Sequence, residues 1–297
     1  MSSTPMNAEI KLEHGAATAV IQVMGAEPCA WSVAGRELLW PGDAQSWSQR
    51  APILFPIVGR LQHGRVRIGG GVYEMGVHGF ARSMLFSVVE RTADHVRLML
   101  THDAETMIAY PFPFALSVDY RLTDTTLSAA FTVANPGDEP LPYALGFHPG
   151  FLWPFAGGKP EQYTLAFAEE EETEVPVLTA DGLFSTERRS LPLDGRSLPL
   201  SHDLLTNEAL CFLHARSTSV RFIAPDGSAI EVSTEDFPHL ALWSWPPAPF
   251  LCIESWTGHG DPDEFDGDIT SKPSMRLLAS GAQAKHAVHL TIHEAAS

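Results

Sequence analysis

Phe114-Ala-Leu-Ser-Val-Asp-Tyr-Arg-Leu122, Thr123-Asp-Thr-Thr126 and Leu127-Ser-Ala-Ala-Phe-Thr-Val-Ala-Asn135 decide the fold class of this chain. Phe114, Leu116, Val118, Tyr120 and Leu122 recur at every second residue. In an extended strand successive side chains point to opposite faces, so these five share one apolar face. The polar four-residue segment turns the chain, and Leu127 to Asn135 returns as an antiparallel partner.

The same reading holds on either side. Ala19–Val23 is a short strand candidate, and Arg65–Ile68 with Val72–Met75 forms a hairpin across Gly69-Gly-Gly71. Ser87–Arg91 and His95–Leu100 flank Thr92-Ala-Asp94. Ser219–Ala224 and Ala229–Ser233 flank the strong turn signal Pro225-Asp-Gly-Ser228. Leu240–Trp243, Phe250–Ile253 and His286–Ile292 complete the set. Gly and Pro number 23 each, which suits many short strands joined by turns, and helical periodicity is scarcely visible. The expectation is an all-β fold, a large antiparallel sandwich with few short helices, in one domain spanning residues 1–297.

Composition narrows function. With 19 Lys+Arg against 36 Asp+Glu the formal charge is −17, a surface that repels phosphate backbones and anionic lipid, so no nucleic-acid or membrane partner is expected. The 44% hydrophobic and 19% charged content describes a globular chain with ample core material. Cys29, Cys211 and Cys252 are scattered and odd in number, which fits a reducing compartment. Glu9, Lys11 and Glu13 stand where a secretory leader needs an apolar run. The longest uncharged stretch, Phe237–Ile253, holds Pro238, Pro246, Pro247 and Pro249 and is too short for a spanning helix. A cytoplasmic protein, monomer or homodimer, is expected.

Several chemistries lack their residues. There is no G-x-S-x-G elbow, and Gly157-Gly-Lys159-Pro160 lacks the spacing of a phosphate-cradling loop. Asp261-Pro-Asp-Glu-Phe-Asp-Gly-Asp268 resembles a calcium loop only until Phe265 falls on a ligand position, so it reads as a solvated acidic turn. His286 and His289 fall on opposite faces of a strand, which argues against a shared metal.

Four segments depart from the strand pattern: Phe55-Pro-Ile-Val-Gly-Arg-Leu61, Val77-His-Gly-Phe-Ala-Arg82, Leu145-Gly-Phe-His-Pro-Gly-Phe151 and Phe250-Leu-Cys-Ile-Glu-Ser-Trp256. Each sets ionisable side chains among Gly, Pro and apolar neighbours, where an unpaired charge is costly. Arg60 and Arg82 alone are as readily loop salt bridges, and His78 or His148 alone a satisfied core histidine. Glu254 stands out because it interrupts an apolar run and shares a strand face with Trp256. A carboxylate at a strand end beside an indole grips a sugar, the ring stacking on the aromatic while the acid accepts hydroxyl hydrogen bonds.

These segments resemble the aldose 1-epimerase (galactose mutarotase-like) family, in its bacterial branch with H-G-F-A-R and C-I-E-x-W patterns. The resemblance runs from about Pro52 through Gly281, with the four motifs in family order. It implies a β-supersandwich that interconverts α and β anomers of aldoses such as glucose or galactose, without cofactor or metal. Carried over by motif, Glu254 is the catalytic base and His148 the general acid. His78 and Arg60 hold the sugar, and Arg82 borders the same pocket. A substrate-binding acid of the family falls near Asp203 or Glu208, with no motif to choose between them. The residue types suit the chemistry, since a carboxylate of ordinary pKa about 4.3 and a histidine near 6.5 exchange protons near neutrality.

Three other readings remain. A related group acts on hexose 6-phosphates, for which Arg60, Arg65, Arg67 and Arg82 supply cations. A sugar-binding protein that has lost turnover is a second. A glycoside hydrolase is a third, which needs a paired acid, and Glu235-Asp236 is the nearest candidate.

Overall fold

The computed structural model describes residues 8–206 and 208–295, so residues 1–7 of the N-terminal stretch read as unlike a secretory leader lie outside it. The decisive stretch forms the strands Ala115–Leu122 and Thr126–Ala134, paired antiparallel from Ala115↔Ala134 to Leu122↔Leu127. Phe114, Leu116, Val118, Tyr120 and Leu122 are all fully buried, as the alternation requires.

This hairpin is part of a nine-stranded sheet. Its order is Ser197–Pro199, Thr164–Phe167, Ser219–Ile223, Ala229–Glu235, Gln283–His293, Thr126–Ala134, Ala115–Leu122, His95–Thr101 and Ser87–Arg91. A six-stranded sheet places Phe250–Trp256 at its centre. His239–Trp243 and then Leu210–Phe212 lie on one side, with Gly146–Phe147, Ile53–Leu54 and Gly150–Leu152 on the other. A four-stranded N-terminal sheet runs from Glu9–His14 to Arg36–Glu37. Every pairing between the described strands is antiparallel, with isolated parallel bridges such as Phe55↔Gly79 outside them, and the two α-helices described, Thr106–Ala109 and His202–Leu205, have four residues each. Among the described residues no helix is long and apolar enough to cross a membrane.

The two large sheets pack face to face, and the core between them is continuous. Leu116, Val118, Phe131, Ile230 and Leu290 of the first meet Leu210, Phe212, Leu240, Leu242, Leu251 and Ile253 of the second. Phe131–Phe147 and Phe167–Phe212 bridge the sheets with ring centroids 5.7 and 5.0 Å apart. Burying one such aliphatic side chain contributes about 1.5–3 kcal/mol, so this layer holds the central strand firmly.

Phe250–Trp256 differs from the sequence reading in its length. The strand does not stop at Ile253 but continues through Trp256, and all seven residues are buried. Leu251 and Ile253 face the core. Phe250, Cys252, Glu254 and Trp256 therefore face the other way, towards a second, smaller set of packed groups. A strand dry on both faces carries no alternation, which is why its end was not readable.

Candidate active site

Backbone hydrogen bonds tie the four segments together. Phe55 donates to the His78 carbonyl and His78 to that of Gly59, while Phe80 and Ala81 both donate to the Phe55 carbonyl, at 2.9–3.2 Å. His78 (φ 66°) and Gly79 (φ 71°) make the left-handed turn, and any Cβ on Gly79 would collide with the Phe55 carbonyl. His148 donates its N–H to Pro52 and Ala144 to Pro56. Ile253 and Thr257 donate to Pro149 and Leu145. Gly146 lies opposite Trp256, where a methyl would meet the indole Cδ1 at 3.1 Å and Leu54 Cδ1 at 2.8 Å.

Glu254 lies in mid-strand, 2% exposed. Its Oε1 is 3.1 Å from His148 Nε2, and Trp256 Nε1 donates to its Oε2 at 3.0 Å. Ala241 lies directly across the ladder, and Cys211 follows one strand further on. Around the His148 ring stand Trp47 at 5.0 Å, Trp243 at 5.7 Å and His78 at 5.7 Å between centroids. Burial pushes the Glu254 carboxyl well above its ordinary range, opposed only in part by the Trp256 N–H. Burial likewise pushes the His148 imidazole down, and the positive charge of Arg82 adds to that.

Both shifts favour a pair that holds one proton in total. That proton sits on Glu254 as the neutral tautomer, or on His148 as a carboxylate–imidazolium pair. The two states differ by movement along one 3.1 Å hydrogen bond. His78 is also held neutral, by burial first and then by His148, Arg82 and Arg60. Its Nδ1 accepts the Gly59 N–H at 3.1 Å, so its Nε2 carries the hydrogen as a free donor. Among the described residues no protein acceptor reaches that Nε2.

The other expected residues fall in different places. Trp256 is 4% exposed and packs with Leu54, Val58, Ala144, Phe184, Cys211 and Ala241, so its polar edge serves Glu254 while its ring is enclosed. Arg82 is half-buried and donates to Gln49 Oε1 and the Val77 carbonyl, both at 2.9 Å. Arg60 follows the glycine that bonds His78, but its side chain is exposed and lies against Gly182. Asp203 is exposed on the helix His202–Leu205. Glu208 accepts the Leu178 N–H and pairs with Arg189 at 3.3 Å. Its charge, like that of Glu254, bears on the Cys211 thiol, so Glu208 rather than Asp203 stands on the Glu254 side.

Sequence reading missed the aromatic wall of Trp47 and Trp243. Gly150 admits Trp47, since a methyl there would meet the Trp47 ring at 2.6 Å. Buried Glu27 fixes the loop that carries Trp47 by accepting the N–H groups of Arg50 and Ala51. The available signal was Trp243-Ser-Trp245 just before Pro246-Pro247. The acidic segment 261–268 also differs from its reading. Asp261 is 2% exposed, bonded to the Gln62 N–H and to the Lys272 ammonium. Nearby, a groove of about 890 Å³ is lined by Leu178, Phe184, Leu213 and His259, the first three of which belong to or pack against the apolar cluster that includes Trp256; Glu254 and His148 do not line it.

The antiparallel sandwich that carries this buried carboxylate–imidazole pair is the galactose mutarotase-like fold. The chain belongs to the aldose 1-epimerase family, whose model matches residues 8–264. It is 31% identical over 269 residues to the chromosomal protein LacX of Lactococcus lactis subsp. lactis, covering 87% of this chain and 90% of that one. A galactose mutarotase-like protein of Lactobacillus casei shares the fold with TM-score 0.89 and 30% identity, covering 96% of this chain and all of that one. A galactose mutarotase related enzyme of Lactobacillus acidophilus gives TM-score 0.90 at 30% identity, covering 98% and 99%.

Proposed function

We propose that this protein is a cofactor-independent isomerase that interconverts the α and β anomers of a free aldose such as glucose or galactose. The observation that carries the reading is the hydrogen-bonded, buried pair of Glu254 and His148. Ring opening requires one proton to leave the anomeric hydroxyl and another to reach the ring oxygen. In the carboxylate–imidazolium tautomer Glu254 accepts the first and His148 donates the second, which leaves Glu254 protonated and His148 neutral. Burial already favours that state of the pair.

Rotation about the C1–C2 bond then presents the other face of the aldehyde. Reversal of both transfers closes the opposite anomer and restores the starting tautomer. Protons balance within the pair, and a positioned transfer of this kind contributes roughly 10²–10⁴-fold per group. His78 Nε2–H supports the sugar on the ring-oxygen side, and Arg60 and Arg82 border the pocket. Trp256 orients the carboxylate. The substrate is thus a small neutral polyol, with neither nucleic acid nor membrane as partner, in a cytoplasmic protein.

Polarimetry on freshly dissolved α-D-glucose and α-D-galactose tests this. Acceleration by the wild type that vanishes in Glu254→Gln is the expected result. No acceleration of any free hexose, or an active Glu254→Gln enzyme, would overturn it. One observation favours hexose 6-phosphates as a second reading. The Arg82 guanidinium lies near both histidines and, although it feels the Glu27 carboxylate, donates its hydrogen bonds only to neutral acceptors, which leaves it donors for an anion. Faster turnover of glucose 6-phosphate than of glucose would select that reading.

A further inference from the structure

Proton transfer to and from a sugar brings its oxygens within about 2.6–3.2 Å of Glu254 and His148. Both groups are sealed in this structure. Glu254 is 2% exposed and His148 6%, and His148 Nδ1 is buried with no hydrogen-bond partner among the described residues. Three rings stand against the imidazole, and two of them are fixed. Trp243 ends a strand of the six-stranded sheet, opposite Cys252, and His78 sits in a turn held by backbone hydrogen bonds to Phe55 and Gly59. Trp47 is different. Its ring packs on His148 at 5.0 Å and on Phe250 at 5.2 Å, yet it is only half-buried, so part of it meets solvent.

The segment that carries Trp47 is a loop with a fixed neck and a loosely held body. Residues 41–50 belong to no strand or helix, and none of them is fully buried. At the neck, Trp40 donates its N–H to the Gly150 carbonyl at 2.9 Å, and the Gly150 N–H returns to the Arg50 carbonyl at 2.7 Å. Arg50 Nε donates to the Pro41 carbonyl at 2.7 Å and draws the two ends together. The Trp47 carbonyl accepts the Asp43 N–H and Trp40 Nε1, so the body keeps its own shape. Such a compact loop with adjacent ends moves as a unit more readily than a paired strand. Among the described residues one hydrogen bond links 41–49 to the chain beyond the neck, from Arg82 Nη1 to Gln49 Oε1 at 2.9 Å.

We propose that residues 41–49 form a gate over the acid–base pair, held shut by Gln49 on Arg82 and by the Trp47 ring on His148, and that an aldose enters as Trp47 swings outward about the fixed neck. This rests on the epimerase reading and adds a step to it. Closed, the indole keeps the pair dry. Open, it uncovers the His148 ring and the space a pyranose needs. A ligand that binds only the open form has its apparent affinity reduced by the fraction of molecules that are open. Weakening the latch therefore tightens binding, the reverse of what losing a substrate contact does.

Gln49→Ala is the test, since it removes the latch and leaves Glu254, His148 and His78 in place. Polarimetry should show KM for glucose or galactose lowered about threefold to tenfold, the weight of one hydrogen bond, with kcat unchanged. An unchanged or higher KM overturns the gate. Cys252 gives a readout that needs no sugar. It is fully buried beneath Trp47: a Cβ on Gly150 would lie 2.6 Å from the Trp47 ring and 3.4 Å from Cys252 Sγ. Alkylation by iodoacetamide, read at Cys252 by peptide mass spectrometry, should be faster in Gln49→Ala by the same factor. Equal alkylation rates overturn the gate even if KM falls, because a freed Arg82 guanidinium would then account for the tighter binding. If neither sugar is epimerised, the epimerase reading fails separately. The alkylation rates then decide the gate alone.

Discussion

Two buried acid–base pairs have their carboxylates seven residues apart in sequence, at Glu254 and Asp261, and they are built for opposite ends. Glu254–His148 and Asp261–Lys272 are both nearly free of solvent, with side-chain exposures of 3% and 7% against 3% and 1%. The first joins a carboxyl pushed up by burial to an imidazole pushed down by it, so one proton moves between them at small cost in charge separation. The second joins an aspartate to an ammonium that burial lowers and Asp261 supports. Asp261 also accepts the Gln62 N–H, and its own N–H and carbonyl bond to Arg60 and Phe184. Lysine and aspartate side chains ordinarily differ by some six pKa units, against about two for histidine and glutamate. The difference teaches that burial alone does not make a reactive site. The intrinsic pKa gap of the partners decides whether a buried pair moves a proton or pins a loop.

Substitution separates the two. Glu254→Gln should lower kcat by about 10³-fold or more, roughly 4 kcal/mol in the barrier. It should leave thermal stability equal or higher, because a buried carboxyl is replaced by an uncharged isostere. Polarimetry beside a thermal melt checks both, and loss of folding would break the comparison. Lys272→Met should do the reverse. It leaves Asp261 charged and unpaired in the interior, at about 3–5 kcal/mol. Urea unfolding measures that cost, and kcat per folded molecule should stay within a few-fold.

A third group, between the pairs, sharpens the contrast through pH. His239 lies across the ladder from Trp256, and His259 feels the charges of Lys272 and Asp261. Burial, helped by neighbouring positive charges, holds His239 down to about 3; burial holds His259 down to about 4. Unfolded, each titrates near about 6.5. Between pH 6.5 and 4 the unfolded chain binds protons that the folded chain refuses, so stability falls as pH falls through that window. The expected loss is about 5 kcal/mol for the two together, read from urea midpoints at pH 7 and 4.5. His239→Phe should flatten the dependence.

How much of this was legible follows from geometry. Phe114–Asn135 was readable because its strands have one dry face, which prints a period of two. Phe250–Trp256 is dry on both faces, so Glu254 was found as the one charge in an apolar run but was placed at a strand end. The motifs located His78, His148 and Glu254. They did not show that Trp256 turns its N–H to the carboxylate with its ring enclosed. Asp261 read as solvated because its partner Lys272 is eleven residues away, across a loop with no periodicity. Trp47 reaches His148 only through Gly150 and the Glu27-anchored loop, contacts with no local signature.

The finest distinction lies inside the first pair. Among the described residues Trp256 Nε1 is the one side-chain donor, besides His148, on the Glu254 carboxyl, and it works against burial. Trp256→Phe keeps most of the ring and removes the hydrogen bond, worth about 1 kcal/mol. The Glu254 carboxyl should then rise further, and two consequences run in opposite directions. The proton is held more firmly on Glu254, so the carboxylate–imidazolium tautomer is rarer and kcat falls about fivefold. The pair also keeps its single proton to higher pH, so the alkaline limb of kcat/KM moves up by several tenths of a unit. A merely structural role for Trp256 would lower kcat without moving that limb. A kcat/KM profile from pH 5 to 10 separates the two, and an alkaline limb that stayed in place would show that this N–H does not tune the shared proton.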